Sequence, residues 1–135
     1  MKISKHKPLR LLFAAIAFGV IAPLGHAALS NQDKKFLTSY EKIHIALAAD
    51  DLAGVKAAAT ELGDSGNDIA KANSLRNARA GFEKLSAHAK TITAGQSDYH
   101  LAHCPMLNKD WVQTSTTISN PYGGKEMIGC GEIQK

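Results

Sequence analysis

Residues 99–131, YHLAHCPMLNKDWVQTSTTISNPYGGKEMIGCG, break with the sequence that precedes them. Helical periodicity stops at Gln96, and glycine, proline, asparagine, serine and threonine become common. Tyr99–His103 has the look of a short extended piece. Trp111-Val112 and Thr116-Thr117-Ile118 are β-prone fragments. Asn120-Pro121-Tyr122-Gly123-Gly124 is a strong turn signal, because proline presets φ and glycine permits positive φ. The stretch is too rich in apolar and aromatic residues for a disordered linker. It is expected to fold back on the upstream part as an irregular, partly extended tail spanning 96–135.

Upstream, the pattern is helical. Phe36, Leu37, Tyr40, Ile43, His44 and Leu47 form one stripe of a helix expected over 31–49. Ser30 or Asn31 is placed to cap it, and Asp33 suits its positive end. Asp50-Asp51 reads as the cap of a second helix over 51–63, with Leu52, Val55, Ala59 and Leu62 on its apolar face. Gly63 can end it in a left-handed conformation. A third helix is expected over 68–94, with a break near Asn73-Ser74 and a stripe of Leu75, Ala78, Phe82, Leu85, Ala89 and Ile92. Short connections favour antiparallel neighbours. The expected fold is therefore mainly α, a small up-and-down bundle of three to four helices carrying the irregular tail.

The first 27 residues read as a signal peptide. Lys2, Lys5, Lys7 and Arg10 precede an apolar run from Leu11 to Leu24, and Gly25-His26-Ala27 offers a small-x-small cleavage site. The run falls short of the roughly 20 apolar residues that span a bilayer. These residues hold four of the 16 basic side chains and none of the 12 acidic ones. The remainder, 28–135, carries 12 of each and no formal net charge. That excludes a basic nucleic-acid footprint and a polybasic membrane anchor. One small exported domain is expected, periplasmic or secreted. Its core is rich in alanine, and a covalent or metal staple would help to hold it.

Cys104, Met106, Met127 and Cys130 are the only cysteines and, with Met1, the only methionines. Two chemistries fit them. Cu(I) and Ag(I) prefer thiolate and thioether sulfur, with imidazole as an addition. Cys104, Met106, Met127, Cys130 and the adjacent His103 make such a ligand set if the two clusters converge. The alternative is a Cys104–Cys130 disulfide, the usual fate of a cysteine pair in an oxidising compartment. The methionines would then fill gaps in the core. No C-x-x-C motif, nucleophile elbow, phosphate loop or paired carboxylates is present, so no enzyme activity is expected. His44 and His88 read as packing or surface residues, and Trp111 as the anchor of the tail.

The series Tyr40…Ala46-Leu47…Asp50-Asp51, Phe82…Leu85-Ser86 and Cys104-Pro105-Met106…Trp111…Ile118…Asn120-Pro121-Tyr122…Gly124…Met127…Cys130-Gly131 resembles a bacterial exported domain family of unknown function. That family also occurs as an extra domain on periplasmic adaptor subunits of copper- and silver-class efflux pumps. The stretch between Met106 and Trp111 is shorter here than in that family. The resemblance implies a helical exported module for heavy-metal handling, whose partner is such an adaptor or another envelope protein. It places Cys104, Met106, Met127 and Cys130 on the family's sulfur positions. A second role it leaves open is a disulfide-stapled interaction module that docks on its partner without metal.

Overall fold

The computed structural model describes residues 25–135; the expected signal peptide lies almost entirely outside them. The first helix, α1, is Asn31–Ala48. Its start is fixed by a reciprocal cap: Ser30 Oγ accepts from the Asp33 N–H at 3.0 Å, and the Asp33 carboxylate accepts from the Ser30 N–H at 3.2 Å. Its buried face is Leu37, Tyr40, Ile43, His44 and Leu47. Helix α2, Leu52–Thr60, is capped by Asp51, which accepts from the Gly54 N–H. It stops short of the expected Gly63, which opens a separate 3₁₀ turn, Gly63–Gly66. The segment expected over 68–94 breaks where the sequence indicated, near Asn73-Ser74, into a one-turn α3, Asn67–Ala70, and α4, Leu75–Ile92. The break has a local cause. Ser74 is extended and uses its hydroxyl to accept from the Asn77 N–H, restarting the helix.

The tail departs most from expectation. Residues His100–Cys104 (β1) and Lys109–Gln113 (β2) form an antiparallel hairpin, and Glu132–Ile133 (β3) pairs with the other side of β1. The sheet order is β2-β1-β3. The domain is therefore mixed α and β, about half helix with a small antiparallel sheet, and not a mainly helical bundle. The signal was weak because each strand is five residues or fewer. A period-2 pattern has little room to show at that length. Thr116–Ile118, read as β-prone, is not a strand. It is a loop wound around the Gln113 side chain, whose amide nitrogen donates to Ser115 O and Thr117 O.

The sheet lies on the helices through α4 and α1. Trp111, Tyr40, Phe82, Ile43 and Leu47 are fully buried in one shared core with Ala102 and Val112. The Tyr40 and Phe82 rings stack at 4.8 Å, and Trp111 meets Tyr122 edge-on at 6.4 Å. Polar groups in this core are paired. The Val112 N–H donates to the Tyr40 hydroxyl at 3.0 Å, and the Tyr40 and Tyr122 hydroxyls both meet Ser86 Oγ. One helix serine thus joins α1, α4 and the tail. Burial pushes both phenols well above their usual pKa.

A second tie fixes the tail to the helix ends. Arg79 donates through Nε to Pro121 O at 2.8 Å, and through Nη2 to Leu47 O and to Asp50 Oδ1 at 2.6 Å. Asp50 Oδ2 accepts from the Lys125 N–H. Asp50 is thus not a helix cap. It takes a left-handed backbone, φ 56°, and reaches toward the tail. Gly124, at φ 60°, lets the chain pass close to that carboxylate, where a Cβ would collide with it. The Lys125 N–H and then the Arg79 guanidinium hold the Asp50 carboxyl below its usual pKa. No helix among the described residues is long and apolar enough to cross a membrane.

Two expectations follow. Tyr40→Phe leaves the buried Val112 N–H without its acceptor. It should cost about 1–3 kcal/mol, seen in urea titration as a lower midpoint at unchanged slope. Asp50→Asn keeps a residue tolerant of the left-handed region but removes the charge. The folded carboxylate binds its proton less readily than in the unfolded chain. Its contribution is therefore full above the ordinary carboxylate pKa near 4 and is lost as pH falls through the lower folded value. Wild-type stability measured from pH 6 to pH 2.5 should drop more steeply than that of Asp50→Asn.

Candidate functional site: the Cys104–Cys130 pair

Register places Cys104. In β1, Ala102 and Cys104 face the core while Leu101 and His103 face away. Pro105 follows at once, and the hairpin turns through Asn108, at φ 50°. Cys130 arrives from the other end of the tail. A 3₁₀ turn, Gly124–Met127, leads to it, and its N–H donates to Met127 O.

Asn120 holds the two segments together. This residue is fully buried. Its Oδ1 accepts from the N–H groups of Tyr122 and Gly123, both at 2.9 Å. Its backbone N–H donates to Ile128 O, and Nδ2 donates to Cys130 O at 2.9 Å. The sequence showed Asn120 only as a turn former. Its place ahead of Pro-Tyr-Gly-Gly was the available sign, since asparagine folds its side chain over the backbone two and three residues on.

The two thiols are unbridged, with their Sγ atoms 2.6 Å apart. Closing a bond needs a shift of only about half an ångström. A shared ion asks for more. With metal–sulfur bonds near 2.3 Å and a tetrahedral angle, two thiolates sit about 3.7 Å apart, so the pair would have to open by about 1 Å. Burial alone would push the Cys104 thiol up. The hydrogen bond with Cys130, the N–H groups of Leu107 and Met106, and the Asn120 amide outweigh that and bring it below its usual value. Cys130 goes the other way, raised by the hydrogen bond to Cys104 and by burial.

The other candidates make different contacts. His103 stands on the opposite face of β1, where its Nδ1 pairs with Asp110 Oδ1 at 2.7 Å. The two residues are cross-strand partners. Lys90 and then His103 hold the Asp110 carboxyl below its usual pKa. Met106 presents its backbone to the sulfurs while its side chain is 78% exposed. Met127 is half-buried against the core. Elsewhere, His44 is buried and donates through Nε2 to Ser119 O at 2.6 Å. His88 lies edge-on to Phe36. Among the described residues no group of three or more His, Cys, Asp or Glu side chains is arranged to hold a metal ion.

No protein-family model, no curated protein and no solved structure matches this chain.

Bridging Cys104 and Cys130 closes a loop across 26 positions, which the chain-entropy argument values at about 3.5 kcal/mol. Reductant should lower the urea midpoint of the oxidised wild type by a corresponding amount. It should leave a Cys104→Ser, Cys130→Ser double variant unmoved.

Proposed function

We propose that the chain is an exported, disulfide-stapled interaction module that docks on an envelope protein. The observation that carries this reading is the sulfur contact itself. A bond between Cys104 and Cys130 needs almost no movement and fixes an irregular tail onto a small core. Export to an oxidising compartment, read from the N-terminal sequence, supplies the conditions for it. The same geometry leaves Met106 exposed and Ile128 44% exposed near the staple. These are flexible and branched apolar side chains of the kind that protein interfaces bury. An adaptor subunit of a copper- or silver-class efflux pump is the partner that the sequence resemblance suggests.

A Cu(I) or Ag(I) centre on these residues is the competing reading. Three features weigh against it. The sulfurs are closer than one ion would hold them. His103 is paired with Asp110 on the far face of the strand. The Met106 side chain extends into solvent.

The test begins with protein prepared from the oxidising compartment, which should contain no reactive thiol before reduction. Reduced, anaerobic protein titrated with Cu(I) against a competing chelator should bind weakly, and alike in wild type, Cys104→Ser and Met127→Leu. Tight one-to-one binding lost in both variants would establish the metal centre instead. Binding to a purified adaptor subunit should fall at least about tenfold in Met106→Asp and Ile128→Asp with the fold intact.

A further inference from the structure

We propose that the Cys104–Cys130 bridge is a directional thiol-exchange site, at which a small thiol attacks Cys130 and Cys104 is the leaving sulfur. This rests on the bridged reading above and adds a reactivity that a purely structural staple would lack.

Access sets the direction of attack. Cys104 has no exposed surface, whereas Cys130 is partly exposed. Glycines flank Cys130 on both sides. At Gly129 even an added Cβ would meet nothing within 4 Å, so the approach beside Cys130 is open. An incoming thiolate therefore reaches one sulfur and not the other.

The surroundings of Cys104 suit a leaving group. The Leu107 and Met106 N–H groups and the Asn120 amide favour its thiolate, against the burial that opposes it. Asn120 is fully buried, and its Nδ2 donates to Cys130 O. These donors are fixed by the hairpin turn and by the asparagine turn, so they are in place before any charge appears. A thiolate formed there is solvated by the protein rather than by water. Stabilising the leaving thiolate speeds thiol–disulfide exchange.

The step balances with a small thiol such as glutathione as reductant. Its thiolate attacks Cys130 Sγ, forming a mixed disulfide as the Cys130–Cys104 bond breaks. The electron pair leaves on Cys104 Sγ, which stays as a thiolate among its N–H donors. A second thiolate then attacks the glutathione sulfur, releasing glutathione disulfide and the Cys130 thiolate. Two thiols are oxidised and one protein disulfide is reduced.

The experiment uses the oxidised mature chain. Thiol counting before any addition reports the bridge; free thiols at that point sink the bridged reading and this proposal with it. Reduced glutathione is then added for short times and quenched in acid. Free thiols are alkylated and the protein is cut with trypsin. Cleavage at Lys109 and Lys125 separates the two cysteines. Glutathione should sit on Cys130 about tenfold or more over Cys104, with the alkyl label on Cys104. Equal adducts, an excess on Cys104, or a bridge that gives no adduct would overturn the direction while leaving the staple intact.

Discussion

Irregular backbone has to be carried inside this small domain, and three buried or half-buried side chains make that possible. Backbone N–H and C=O groups taken from water need partners, and a tail without long strands cannot supply them from a ladder. Gln113 accepts from Trp111 Nε1 and from the Ser119 N–H, and donates to Ser115 O and Thr117 O. Asn120 serves the turn after it and the Cys130 carbonyl. Arg79 serves Leu47 O and Pro121 O from the helix side. Among the described residues no buried side-chain nitrogen or oxygen is left without a partner. The sheet and the sulfur contact both depend on this scaffold of amides and guanidinium.

How much of this the sequence disclosed follows from the range of each interaction. The α1 stripe was legible because it repeats over 18 residues and its cap joins residues only three positions apart. The same logic located Phe82, Leu85 and Ala89 on α4. Tyr99–His103 reads as an extended piece and Trp111-Val112 as a β-prone fragment, but strand pairing is a relation between segments and neither shows it alone. Its deciding partner, Ile133, lies some 30 positions from Ala102. Asp50 shows a similar limit. Its spacing from α2 suggested a cap, while its left-handed backbone and its bonds to Arg79 and Lys125 belong to tertiary structure.

The sulfur cluster divides the same way. Chemistry by residue type grouped five side chains, and the fold puts the two thiols in direct contact. Strand alternation sends His103 away from Cys104, a consequence of being its immediate neighbour in β1. Met106 follows a proline in a tight hairpin, and there only its backbone turns inward. What the residue types could not suggest was Asn120, whose amide ties the carbonyl of Cys130 to the turn. The pair therefore sits in an asymmetric polar setting, buried at one end and open at the other.

The brevity of β3 has a further consequence. A two-residue strand exposes almost no ladder on the outer margin of the sheet. On the opposite margin, the Val112 N–H is already taken by the Tyr40 hydroxyl. The Val112 N–H is therefore not free to pair with a strand of a second copy. At that position the small sheet is closed to its own kind.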